Sequence, residues 1–197
     1  MKRLLVLVMA TVMATFAVQA QAATWAGFKG GVNLGSVSGF DGTDTRTGLS
    51  GGAFIGTAIN ETFGFQLEGL YVMKGFTVDD ATAKLDYIEF PILFVANFPT
   101  GDKLGFNIFG GPTLGFNIKA QIEEGGGTDD MKDSTESFEF GAAIGGGFGY
   151  KLSSFSIVGD VRYTLGATTF SKDDTDDPKN HGIGIMAGVS FPLGSQE

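Results

Sequence analysis

Eight stretches of this chain alternate between a bulky apolar residue and a glycine, hydroxyl or amide residue. That period of two is the signature of strands with two unlike faces. It is clearest over 104–118, where Leu104, Phe106, Ile108, Leu114, Phe116 and Ile118 share one face and Gly105, Asn107, Gly111, Thr113, Gly115 and Asn117 the other. Segment 138–150 sets Phe138, Phe140, Ile144, Phe148 and Tyr150 against Glu139, Gly141, Ala143, Gly145, Gly147 and Gly149. Segments 155–165 and 181–193 repeat it, with Ile157, Val161 and Tyr163 opposite Asp160 and Arg162, and Ile183, Ile185 and Phe191 opposite Gly182, Gly184 and Ser190. Earlier strands are predicted at 25–36, 48–59 and 63–74. Over 85–98, Ile88, Phe90, Ile92 and Phe94 share a side, but Tyr87, Pro91 and Leu93 make the opposite side partly apolar as well.

Alternation alone fits a soluble sandwich as well as a membrane barrel. The size of the residues separates the two. The interior of an eight-stranded barrel is just wide enough for side chains, so a face of Gly, Ser, Thr and Asn suits the inside and the aromatic and aliphatic face suits lipid. The 32 Gly with only 5 Pro fit neither collagen nor disorder, and so much strand glycine implies close packing. The predicted fold is therefore all-β, an eight-stranded antiparallel up-and-down transmembrane β-barrel. A soluble periplasmic β-barrel binding an apolar ligand is the competing reading, and it requires the bulky face to point inward.

Residues 1–22 read as a signal peptide: Lys2 and Arg3 precede an apolar stretch from Leu4 to Val18, and Ala20-Gln21-Ala22 is a small-x-small cleavage pattern. The barrel domain is then 23–197, and no later segment approaches the length of a spanning helix. Removing Lys2 and Arg3 leaves 11 basic against 22 acidic residues, which argues against nucleic acid as a partner. The predicted connections alternate long and short: 37–47, 60–62, 75–84, 99–103, 119–137, 151–154 and 166–180. Outer-membrane barrels have this asymmetry, with the longer loops outside. The four long segments carry 14 of the acidic residues.

With no Cys and one His, a thiolate nucleophile and a multi-His metal site are excluded. His181 has no partnered Ser and acid at a recognisable spacing, and the glycine runs at 125–127 and 182–188 are not followed by a helix. No enzymatic activity, metal or cofactor is expected. The informative polar residues are Lys29, Glu68, Lys74, Glu89, Glu139, Asp160 and Arg162, all on the small-residue face. Buried in a narrow barrel they must pair, so an ion-pair network centred on Arg162 is expected, either a structural closure of the lumen or the constriction of a narrow passive pore for small solutes. Asp173, Asp174, Asp176 and Asp177 form a candidate cation-binding loop, although their spacing is not that of an EF-hand. Trp25, Phe98 and Tyr150 fit a periplasmic-side aromatic girdle.

The opening Gly27-Phe28-Lys29-Gly30-Gly31-Val32-Asn33-Leu34, the run Phe65-Gln66-Leu67-Glu68-Gly69-Leu70-Tyr71 and Tyr87-Ile88-Glu89-Phe90-Pro91-Ile92-Leu93 resemble the porin-family, PorT-like outer-membrane β-barrel domain of the OmpA/OmpX-type eight-stranded group. Gly110-Gly111-Pro112 and Asp160-Val161-Arg162-Tyr163 continue the resemblance over essentially the whole mature chain. It implies location in a bacterial outer membrane, with outer-membrane lipid and the barrel-assembly machinery as partners, and no single activity. The expectation is a monomer with a structural or surface-interaction role, its surface partner unknown.

Overall fold

The computed structural model describes residues 23–39, 42–79, 81–172 and 177–193, so the predicted signal peptide lies outside the described residues. Nine strands follow in chain order: β1 (Thr24–Ser38), β2 (Asp44–Ala58), β3 (Phe63–Val78), β4 (Ala81–Thr100), β5 (Leu104–Glu124), β6 (Gly127–Asp130), β7 (Phe138–Lys151), β8 (Ser156–Gly166) and β9 (Lys179–Leu193). All but β6 form one closed antiparallel ring in which each strand pairs with its sequence neighbours and β1 pairs with β9. Strand β6 is a four-residue arm folded back on the end of β5. Following the register once round the ring from Gly27 returns to Val37, a stagger of ten residues. Such a stagger tilts the strands and closes the interior tightly. It also brings residues distant in sequence to one height inside the barrel.

The two faces sort as their chemistry requires. Phe28, Leu49, Ile108 and Ile144 point outward and are 65%, 60%, 57% and 66% exposed. A continuous apolar surface of this kind is far larger than a soluble monomer leaves bare. The soluble alternative needed this face inside, and the structure puts it outside. Aromatic rings meet along the outer belt: Phe63 stacks on Phe94 with centroids 5.3 Å apart, and Phe116 meets Phe138 edge to face at 5.5 Å. Phe98 and Tyr150 belong to that exposed surface.

Trp25 does not join them, and here the girdle expectation is corrected. It shares the inner parity of Gly27 and Lys29, its indole lies over Gly56 and Gly64, and its Nε1–H donates to Gln66 at 3.0 Å. Phe54 and Phe109 also turn inward, each over a glycine of a neighbouring strand. A Cβ on Gly27 would stand 2.6 Å from the Phe54 ring, and one on Gly145 would stand 2.6 Å from that of Phe109. Inner glycines thus make room for inner rings, the alternation of small and large that a narrow barrel needs. The ambiguous segment 85–98 resolves the same way: Tyr87, Glu89, Pro91, Leu93 and Val95 are buried, and the alternate residues face out.

The connections are shorter than expected because strands run on into them: β2 already begins at Asp44, β5 continues to Glu124, and β6 lies within the segment 119–137 read as a loop. Residues 75–84, read as a ten-residue loop, are largely strand: β3 runs to Val78, which lies opposite Ala81 at the start of β4, and Asp79 is in the left-handed region at φ 49°. Beyond β6, a 3₁₀ turn at Lys132–Ser134 and the segment after β8 fold onto each other. The Glu136 N–H donates to the Phe170 carbonyl at 2.7 Å and the Lys172 N–H to that of Ser134 at 3.1 Å. Phe170 is thereby held against Val37, Leu85, Tyr87 and Ala120, with Phe76 and Met131 beside them.

Candidate functional site

All seven predicted interior residues are buried or nearly so, but they form two networks rather than one around Arg162. In the first, Lys29 from β1 meets Glu68 from β3 at 2.7 Å and Asp160 from β8 at 3.0 Å. Arg162, two residues on from Asp160 and so on the same face, reaches across to Glu68 with two nitrogens, at 2.7 and 3.2 Å, and back to Asp160 at 2.9 Å. This is the planar two-point recognition that Arg gives and Lys does not. Gln66 adds a hydrogen bond to Glu68 at 2.8 Å and passes the chain on to Trp25. Two cations and two carboxylates leave this layer neutral. The guanidinium stands 5.0 Å from the Phe109 ring and the Lys29 ammonium 5.5 Å from that of Phe54, so both cations also lie over aromatic faces.

The second network lies nearer the loop end of the barrel. The Lys74 ammonium sits between Glu89 and Glu139. Asn180 donates to Glu139 and, at 3.3 Å, to the Tyr87 hydroxyl, and the Lys74 ammonium stands 5.0 Å from the Tyr87 ring. Leu70, Val72 and Met186 form one apolar cluster of the interior and Leu93, Val95, Phe109 and Ala143 another. The interior is thus built of ionic and apolar layers.

On the side of the chain termini a vestibule of about 360 Å³ opens between Trp25, Gln66, Val95, Asn107 and Ser190, with Lys29 and Asp160 among its lining residues. Every carboxylate in the first layer is held by a cation, which leaves none free as a general base. His181 lies 6.3 Å from Tyr163, whose ring is on the exposed face. Among the described residues no three His, Asp or Glu side chains are grouped to hold a metal. Of the candidate cation loop, Asp173, Asp174 and Asp176 lie outside the described residues, while Asp177 pairs with Lys179 at 2.8 Å.

Sequence reasoning did not find Trp25, Gln66, Tyr87 and Asn180 as partners of the charges. Gln66 and Asn180 carried a usable signal, since each is an amide on the inner parity within two residues of a charged or glycine position. Also unexpected is a largely shielded polar group between β2, β3 and β4: Tyr71 donates to the buried Asp86 at 2.7 Å, and Arg46 lies 3.8 Å from the same carboxylate while donating to the Lys74 carbonyl. Farther toward the loops Lys84 pairs with Glu123, and this hydrogen bond holds the exposed Glu123 carboxyl below its ordinary range.

The sequence profile of the outer membrane protein beta-barrel domain matches residues 8–191. No curated protein sequence matches the chain. Among solved structures it is similar to Neisserial surface protein A (NspA), with a TM-score of 0.61 and 14% identity over 86% of this chain and 97% of that one. It is also similar to the N-terminal β-barrel domain of Pseudomonas aeruginosa OprF (TM-score 0.47, 12% identity, 88% and 100% covered). A third relative is Ail, the attachment invasion locus protein of Yersinia pestis (TM-score 0.44, 15% identity, 86% and 97% covered). At these identities the likeness is one of fold, a transmembrane barrel with its bulky face turned out. A profile match running from residue 8 to residue 191 over a closed barrel of this build means that the chain belongs to the outer membrane protein beta-barrel domain family.

Proposed function

We propose that this is a non-conducting, non-enzymatic protein of a bacterial outer membrane whose role is structural or an interaction made through its outer loops. The observation that carries the reading is the filled interior. The network of Lys29, Glu68, Asp160 and Arg162 spans from β1 through β3 to β8, a second ionic layer follows, and Phe170 and Met131 from the loops pack on the far end. A pore would have to open both charge layers. Removing one partner from such a pair strands a buried charge, which costs about 3–5 kcal/mol, so spontaneous opening is rare. The loops are the parts left to vary and to meet other molecules, as loops on rigid scaffolds commonly do. The test is conductance in a planar bilayer, with insertion verified by heat-modifiable gel mobility. The expectation is inserted protein without discrete current steps; reproducible single-channel steps would favour the narrow-pore alternative.

A further inference from the structure

The vestibule on the side of the chain termini holds polar groups that the barrel itself does not use. Register sets their height: Asn97 on β4 lies opposite Asn107 on β5, and on the other side of the lumen Ser156 on β8 lies opposite Ser190 on β9. Both pairs line the same cavity of about 360 Å³. Asn107, Ser156 and Ser190 have no side-chain hydrogen bond among the described residues, and Asn97 has only a 3.5 Å contact to the Thr62 carbonyl. The charges at the inner end are already satisfied: Lys29 is held by Glu68 and Asp160, and Asp160 by Lys29 and Arg162. Trp25, Phe54 and Phe109 add aromatic wall. Glycine keeps the mouth open. Gly105 and Gly149 pair across β5 and β7, and a Cβ on Gly149 would meet nothing within 4 Å.

We propose that this vestibule is a binding site for a neutral sugar ring. Asn and Ser side chains each donate and accept hydrogen bonds, the two-way capacity that matches sugar hydroxyls. The C–H faces of such a ring pack on aromatic side chains, whose negative faces meet the C–H hydrogens. The volume lies near the lower end of the roughly 300–1,000 Å³ of ligand pockets, which suits one ring rather than an extended chain. A charged ligand would be desolvated here without a free counter-charge, because the cations and carboxylates at the inner end hold each other. A wholly apolar ligand would leave both polar pairs unsatisfied. The site goes beyond the structural role proposed above and needs no conduction, since the layer of Lys29, Glu68, Asp160 and Arg162 closes its inner end.

Trp25 is the single Trp of the chain and lines the cavity, so its fluorescence reports occupancy. The test is titration of the folded full chain, in micelles of the sugar-free detergent lauryldimethylamine oxide, with N-acetylglucosamine, glucuronate and the neutral peptide mimic N-acetylglycinamide. N-acetylglucosamine should give a saturable change with a midpoint of about 1 mM or below, and glucuronate should bind at least about tenfold more weakly. Asn107→Leu should weaken the sugar about tenfold, the loss of a two-point amide contact. Gly149→Phe should fill the mouth and abolish binding, while Glu123→Gln, at the opposite end, should change nothing. Heat-modifiable gel mobility checks that each variant is folded. Asn107 has no hydrogen bond to lose, so its variant keeps the test valid if Gly149→Phe does not fold. No saturation by the sugar below about 10 mM, wild-type affinity in a folded Asn107→Leu or Gly149→Phe, or equal binding of glucuronate or the peptide mimic would overturn the proposal.

Discussion

Glu68→Gln is the sharpest test of the interior charge layer, because it changes one charge and almost no volume. Glu68 accepts from Lys29 at 2.7 Å, from Arg162 at 2.7 and 3.2 Å and from Gln66 at 2.8 Å, and its side chain is fully shielded from solvent. The substitution turns a neutral layer of two cations and two carboxylates into one with an excess positive charge, and the new amide presents N–H groups to donors. Breaking a buried pair in this way costs about 3–5 kcal/mol. With an m-value of about 2 kcal/mol per molar urea, the unfolding midpoint should fall by roughly 2 M. The assay is urea unfolding of the protein in lipid vesicles, followed by the heat-modifiable gel shift. Adding Arg162→Met to Glu68→Gln restores a neutral layer of Lys29 with Asp160, so the double variant should be more stable than the sum of the singles by at least about 1 kcal/mol. Glu123→Gln removes an exposed partner of Lys84 and should leave the midpoint unchanged. A Glu68→Gln midpoint equal to wild type, or strict additivity with Arg162→Met, would refute the claim that these charges are coupled inside the barrel.

Other expectations follow from the same packing. Gly31→Ala places a Cβ 1.9 Å from the Ile185 carbonyl oxygen and should destabilise by about 1–3 kcal/mol or block folding, while Gly149→Ala, with open space around it, should be neutral by the same unfolding assay. Trp25 is the single Trp of the chain and faces the interior, so brominated acyl chains should quench its fluorescence little; strong quenching would return it to the outer girdle. Phe170→Ala should loosen the contact between the loops after β6 and β8, raising amide exchange at Glu136 and Lys172 without lowering barrel stability by more than about 3–5 kcal/mol.

The barrel was legible in the sequence because a half-lipid, half-interior strand must repeat every second residue, and seven of the eight barrel strands do so plainly. The exceptions have physical causes. Residues 75–84 looked like a loop because that stretch of β3 and β4 rises beyond the apolar belt, where an outward residue meets water and the bulky face disappears; Phe76, Ala83 and Leu85 still alternate inward there. Phe54, Phe109 and Tyr87 broke the rule that the inner face is small. The glycines facing them, Gly27, Gly145 and Gly115, lie on neighbouring strands far away in sequence, so the complementarity appears only once the register is known. The seven charges were legible by parity alone. Their division into two networks was not, because it depends on the ten-residue stagger that fixes which residues share a height.

The most direct test of the central claim, a barrel with its bulky face in lipid, is a single-Cys scan of 104–118 on this naturally Cys-free chain in vesicles. A membrane-soluble maleimide carrying an environment-sensitive dye should report lipid at positions 106, 108, 114, 116 and 118 and a shielded interior at 107, 113, 115 and 117. A flat profile, or one shifted by a single residue so that Asn107 and Thr113 meet lipid, would contradict it.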